Sequence, residues 1–101
     1  MPIERAAVLR NAEKLVRQGK VALAIDEYLR VVNDDPRDWN TANLLGDLYI
    51  RTGQVEPAIE QFVRIAEQLR DQGFLPKASA VYKKILKITP DDERAILRAA
   101  E

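Results

Sequence analysis

Residues 38–65 have the sequence DWNTANLLGDLYIRTGQVEPAIEQFVRI. Apolar and small residues recur three and four positions apart on both sides of Gly53, which is the spacing of a buried helix face. Gly53 itself stands where a helix can end and a short turn can reverse the chain. The stretch therefore predicts two antiparallel helices that pack closely where Gly46 meets Ala58. The residues that carry this spacing are Leu45, Gly46, Tyr49, Gly53, Ala58 and Phe62.

The pattern within this stretch occurs three times: a glycine, an alanine five positions later, and an aromatic residue four positions after that. The three sets are Gly19, Ala24 and Tyr28; Gly53, Ala58 and Phe62; and Gly73, Ala78 and Tyr82. Self-similarity of this kind is typical of a helical repeat array. The first step is 34 residues and the second only 20. We therefore predict that helix 55–71 is both the second helix of one hairpin and the first of the next.

The composition fits one small folded domain. The chain has 101 residues, of which 47% are hydrophobic and 32% charged, enough to bury a core and keep a polar surface. Sixteen basic and sixteen acidic residues cancel, which argues against a nucleic-acid surface. Cysteine and histidine are both absent, so the commonest metal ligands and the commonest general base are missing. We expect a non-enzymatic protein that uses no metal or cofactor.

The sequence contains no apolar run of the kind that enters a membrane. No stretch approaches the roughly 20 apolar residues of a membrane span. The first residues, from Met1 to Arg5, lead into no apolar run of signal-peptide length. These features predict a cytoplasmic protein.

Apolar spacing, glycines and prolines predict five helices and the start of a sixth. The predicted helices are 3–17, 21–32, 36–51, 55–71 and 75–88, followed by a segment at 90–101. Asp35 is predicted to cap the third helix, with Pro36 at its first position. Within a single domain, 1–101, the predicted units are a first repeat at about 3–36, a second at about 37–70, and an irregular third hairpin made of 55–71 and 75–88.

These residues resemble the tetratricopeptide repeat (TPR) family, whose 34-residue unit has the pattern W-x2-L-G-x2-Y, then A-x3-F, then P. The best unit matches through Leu45, Gly46, Tyr49, Ala58 and Phe62. The flanking units match through Gly19, Ala24, Tyr28 and Pro36, and through Gly73, Ala78, Tyr82 and Pro90. Ala42 occupies the usual tryptophan position. The resemblance implies an all-α fold of antiparallel hairpins stacked as a short right-handed solenoid.

The resemblance also implies a protein-protein interaction scaffold, which binds a peptide or a partner helix in a concave groove. The groove positions carried over to this chain are Leu9, Glu13, Val16, Arg17, Asn40, Asn43, Asp47, Ile50 and Arg51. These residues also lie away from the core stripe of their helices. Two oppositely charged pairs among them are four residues apart, and they either form surface ion pairs or select a partner of mixed charge.

One subclass of the family binds the C-terminal carboxylate of heat-shock chaperones with lysine, arginine and asparagine at set groove places. In this chain, Leu9, Glu13 and Leu44 occupy three of those places. The resemblance therefore argues against a carboxylate clamp.

Several residues leave two interpretations open. Trp39 either covers the preceding hairpin or is an exposed anchor for a partner. Asn43 binds a partner or is incidental, and Asn40 and Thr41 bind or belong to a frayed first turn. The lysines of the fifth helix contact RNA or an anionic membrane, or they form an ordinary solvated face. These lysines are Lys77, Lys83, Lys84 and Lys87.

The alternative function is self-assembly. The ends of a repeat stack are apolar, and an uncapped end can be buried by a second copy, which would make the protein a homo-oligomer. Ile96 and Leu97 in the last segment are the predicted contacts of this alternative.

Overall fold

The computed structural model describes residues 3–92 and Ile96. It contains the five predicted helices, and the described residues contain no strand. The helices are α1 (Arg5–Arg17), α2 (Val21–Asp34), α3 (Trp39–Arg51), α4 (Val55–Asp71) and α5 (Leu75–Ile88). Each helix packs against the next one along the chain, so the helices form successive antiparallel hairpins. The predicted all-α helical-hairpin architecture is confirmed.

Three glycines close the hairpins. Gly19, Gly53 and Gly73 have φ angles of 76°, 77° and 84°, in the left-handed region where a side chain is strained. After α1, the amide of Lys20 donates to Leu15 O at 2.8 Å and the amide of Gly19 donates to Val16 O at 3.0 Å. This pattern is a Schellman motif, which satisfies the last carbonyl groups of the helix. The same pair of bonds follows α3 and α4.

The start of α3 differs from the prediction. Asp38, not Asp35, is the N-cap residue, and its Oδ1 accepts from the amide of Thr41 at 3.1 Å. Asp35 instead accepts from the amide of Arg37 at 3.1 Å, so Pro36 lies in the preceding turn. The hydroxyl of Thr41 donates to Asp38 Oδ2 at 2.8 Å, and Thr41 is buried. The first turn of α3 is therefore fixed by side-chain hydrogen bonds to Asp38, and it is not frayed.

The close crossing of α3 and α4 is at Gly46, as predicted, and the side chain nearest to Gly46 is that of Phe62. A Cβ atom built on Gly46 would lie 2.6 Å from both Cε1 and Cζ of Phe62, well inside van der Waals contact. The nearest atoms thus belong to Phe62 and not to Ala58. Phe62 has no exposed surface, so its ring fills the space that any side chain at position 46 would need.

Helix α4 packs against both α3 and α5, and it is the longest helix. Its buried residues are Ala58, Ile59, Phe62, Val63, Ile65, Ala66 and Leu69. This burial on two sides agrees with a helix shared between two hairpins, although the division of the chain into repeats stays a prediction. The predicted segment 90–101 lies mostly outside the described residues.

We expect Gly46→Ala to destabilise the fold by up to about 2 kcal/mol. The methyl group would gain about 1 kcal/mol of helix propensity, but overpacking against the Phe62 ring costs about 1 to 3 kcal/mol. Urea unfolding measures the net change. In a Phe62→Leu background the same substitution should be neutral or stabilising, because the ring is gone. An increase in stability on Gly46→Ala alone would show that this crossing is not tight.

Asp38 makes stability depend on pH. Burial disfavours its charged form, but the hydrogen bonds from Arg5 and Thr41 and the charge of Arg5 outweigh burial, so the pKa of Asp38 is lowered. Because the folded-state pKa lies below the unfolded value of about 3.9, this stabilisation is present above about pH 4. It is lost as the pH falls through the folded-state pKa.

The Asp38→Asn variant keeps a capping oxygen and loses the charge, so we expect it to be about 1 kcal/mol less stable at pH 7. The difference from wild type should shrink as the pH falls below about 4. Chemical denaturation at several pH values measures it, with the exposed substitution Glu67→Gln as the control. A difference that stays constant down to pH 3 would contradict the ionised cap.

Candidate functional site

A pocket of about 370 Å³ lies between α1 and α3, above Tyr28 of α2. Its walls come from residues three and four positions apart on the two helices, so each helix presents one face to it. The lining residues are Glu13, Val16, Arg17, Tyr28, Leu44, Asp47, Leu48 and Arg51. We call this set the α1–α3 pocket. It brings together five of the predicted groove residues, Glu13, Val16, Arg17, Asp47 and Arg51, with an apolar surface.

The charges of the α1–α3 pocket are arranged in two levels. Two short connections reverse the chain between α1 and α3, so these helices run in the same direction. On each helix a carboxylate residue precedes an arginine by four positions, which is about 6 Å along the axis. Glu13 and Asp47 therefore lie nearer one end of the pocket, and Arg17 and Arg51 lie nearer the other.

The negative charge of Glu13 acts on Tyr28, which forms the floor of the pocket. Burial raises the pKa of the Tyr28 phenol, and the negative charge of Glu13 raises it further. In the described part of the chain, neither Glu13, Arg17 nor Arg51 forms an ion pair with a protein group. The predicted surface pairs at four-residue spacing are therefore not formed, and these three charges remain available to a ligand.

Asp47 is held by a residue from α5. Lys84 Nζ donates to Asp47 Oδ1 at 2.8 Å and to Asn43 Oδ1 at 3.1 Å. The same ammonium lies 4.5 Å from the centroid of the Phe62 ring, a distance suited to a cation–π contact. Asn43 therefore accepts a hydrogen bond from within the protein, where the sequence had suggested contact with a partner. Lys84 joins α5 to α3 and is neither an ordinary solvated lysine nor a free cation.

The other predicted groove residues lie outside the α1–α3 pocket. Asn40 is exposed, while Leu9 and Ile50 are partly buried against the core. Sequence reasoning missed Leu44, Leu48 and Tyr28 as pocket residues. The available signal was spacing, because Leu44 and Leu48 share the helix face of Asp47 and Arg51.

Trp39 lies at the opposite end of α3 from Arg51. Its indole Nε1 donates to Gln68 Oε1 at 2.7 Å, and its ring meets the ring of Phe74 edge-on, with centroids 6.2 Å apart. Both partners belong to the following pair of helices and their turn. Neither predicted role, a cover over the preceding hairpin or an exposed anchor, anticipated this contact.

A second cavity of about 410 Å³ lies at the same end of the molecule as Trp39. Its lining is polar except for one proline, and consists of Asp35, Pro36, Arg37, Gln68, Asp71 and Gln72. Within residues 3–92 and at Ile96, no group of three or more potential metal ligands comes together. No helix among these residues has both the length and the apolar character of a membrane span.

Two solved structures have a similar fold. One is the first TPR domain of Spaghetti (RPAP3) bound to the HSP90 peptide SRMEEVD, with 18% identity and a TM-score of 0.55 over 96% of this chain and 88% of that chain. The other is the second TPR domain of human RPAP3 in complex with the HSP70 peptide SGPTIEEVD, with 17% identity and a TM-score of 0.52 over 95% and 92%.

These likenesses confirm the predicted fold, which is that of TPR domains: antiparallel helical hairpins stacked as a solenoid. No family model matches the sequence, and no curated protein matches it. At this level of identity the comparison concerns the fold alone.

The exposure of two leucines gives a test of the pocket wall. Leu44 is 48% exposed, so Leu44→Asp should change the free energy of unfolding by no more than about 0.5 kcal/mol. Leu48 is only 6% exposed. Leu48→Asp should therefore lower the free energy of unfolding by several kcal/mol, because it would bury an unpaired carboxylate. Thermal unfolding followed by circular dichroism compares the two variants. Equal loss of stability would place Leu44 in the core instead of the pocket.

Proposed function

We propose that this chain is a protein-protein interaction module, an adaptor that binds a peptide or a partner helix in the concave groove between α1 and α3. The observation that carries the proposal is the α1–α3 pocket, where the half-exposed Leu44 stands among charges that have no partner within the described chain. Apolar surface with a few convergent polar groups is the usual character of a binding site. Glu13, Arg17 and Arg51 are the groups that a ligand would meet.

The comparisons support this proposal through the fold. The two TPR domains of similar fold are peptide-bound, one to an HSP90 peptide and one to an HSP70 peptide. In the present chain, Leu9, Glu13 and Leu44 stand where the resemblance would place clamp residues, so we propose a different ligand. We also propose that the protein acts in the cytoplasm.

Binding without catalysis is the better proposal for this composition. The chain has no histidine or cysteine, and its single serine, Ser79, lies on α5, which contributes no residue to the lining of the pocket. No nucleophile, base and orienting group converge in the α1–α3 pocket.

The alternative of self-assembly has weaker support. Ile96 is 46% exposed, as a contact residue would be, but its predicted neighbour Leu97 lies outside the described residues. The comparisons offer nothing for homo-oligomerisation. We therefore retain the groove as the proposed site.

Affinity capture from a lysate tests the proposal. The groove variant combines Arg17→Ala, Leu44→Asp and Arg51→Ala, and its matched control combines Arg10→Ala, Leu23→Asp and Arg30→Ala at exposed positions outside the pocket. Asn43 and Asp47 are left unchanged, because replacing them would release Lys84 and disturb α5.

We expect a protein partner that wild type and control retain and that the groove variant loses, by mass spectrometry. All three proteins should show equal helicity, which excludes unfolding as the cause. A partner that the groove variant still captures would move the binding site elsewhere. Recovery of the chain alone would favour self-assembly.

A further inference from the structure

We infer that the α1–α3 pocket recognises an internal peptide segment in which an apolar side chain lies within about one helical turn of an acidic side chain. This inference rests on the proposed function and specifies the ligand of that site. The apolar residue would contact Val16, Leu44 and Leu48, and the carboxylate would lie between Arg17 and Arg51.

The size and lining of the pocket support an apolar anchor. Its volume of about 370 Å³ is near the lower limit of ligand pockets, about 300 to 1,000 Å³, which suits one or two side chains. Leu44 is half-exposed at its edge, so a bound apolar group would cover surface that now faces water.

The free charges of the pocket favour an anion. Four charged residues line it, but Asp47 is already neutralised by Lys84. Two guanidinium groups and the carboxylate of Glu13 remain unpaired within the described chain. The pocket therefore has a net positive charge toward an incoming ligand.

The guanidinium groups are also placed to act together. Arg17 and Arg51 are the last residues of two helices that run in the same direction, so they lie at the same end of the pocket. The nearby helix-end carbonyls already accept from turn amides, as Val16 O does from Gly19 and Ile50 O from Gly53, both at 3.0 Å. Neither guanidinium donates to another described residue, so their planar donors remain free, and they match the geometry of a carboxylate.

Glu13 excludes a second anion from the end of the pocket opposite the two arginines. Its carboxylate lies about 6 Å along the axis from the arginine level, and it would repel a second anion. A chain terminus that presents a terminal carboxylate beside acidic side chains would place such an anion there. A neutral or basic residue on the far side of the apolar anchor fits better, so we assign the ligand to an internal segment whose acidic residue lies on one side of the anchor only.

Display of random dodecapeptides, flanked by linker on both sides, provides an unbiased probe of this specificity. Selected sequences are then synthesised in two forms, one with acetylated and amidated ends and one with a free carboxyl terminus, and the affinity of each is measured by calorimetry. We expect an apolar residue with Asp or Glu within four positions. Replacing that acid by lysine should weaken binding to wild type about tenfold, which corresponds to about 1.4 kcal/mol.

Charge exchange gives the decisive comparison. The Arg51→Glu variant should no longer bind the acidic peptide. Its affinity for the lysine peptide should be at least about fivefold higher than that of wild type. Arg10→Glu, an exposed substitution on α1 outside the pocket, should change neither affinity by more than about twofold. Thermal unfolding of each variant confirms that it is folded.

Two further results separate the inference from the proposed function. The inference would be overturned, and groove binding left intact, by peptides that no longer bind the Leu44→Asp variant but whose affinity for wild type is unchanged by acid-to-lysine exchange. Peptides that bind only with a free carboxyl terminus would have the same meaning. A failure to select any peptide, or selection of peptides that tolerate Leu44→Asp, would overturn both.

Discussion

The ring of Phe62 lies directly against the backbone of Gly46, and the relative positions of three helices follow from this contact. The absence of a side chain at position 46 lets the Phe62 ring of α4 lie directly on α3. The ammonium of Lys84 lies 4.5 Å from the centroid of this ring and reaches two acceptors on α3. One aromatic side chain thus joins α3, α4 and α5, and it fixes the helix that forms half of the α1–α3 pocket.

Features that depend on neighbouring residues could be predicted from the sequence. The three turn glycines adopt left-handed backbone angles for which no distant partner is needed, so their positions set the helix ends. The start of α3 could not be predicted in the same way. Asp35 and Asp38 are both suitable caps, and only the path of the chain after Pro36 decides which carboxylate reaches the amide of Thr41.

Contacts between distant residues limited the prediction of the site. The family resemblance placed Glu13, Arg17, Asp47 and Arg51 in a groove, which agrees with their positions off the core stripe, and the structure brings them into one pocket. The spacing could not show that Lys84, 37 residues after Asp47, would neutralise it. Exposure of Leu44 likewise depends on how far apart α1 and α3 stand, which no local pattern encodes. The net charge offered to a ligand is therefore a tertiary property.

The position of Trp39 has a consequence for spectroscopy. It is the chain's single tryptophan, and its indole is tied to Gln68 and Phe74, at the end of α3 remote from Arg51. Arg51 lies twelve positions after Trp39 on α3, a distance of about 18 Å. Tryptophan fluorescence therefore reports on the junction of α3 with the α4–α5 turn. A change in that emission when the α1–α3 pocket is filled would measure how rigidly α3 transmits displacement along its axis.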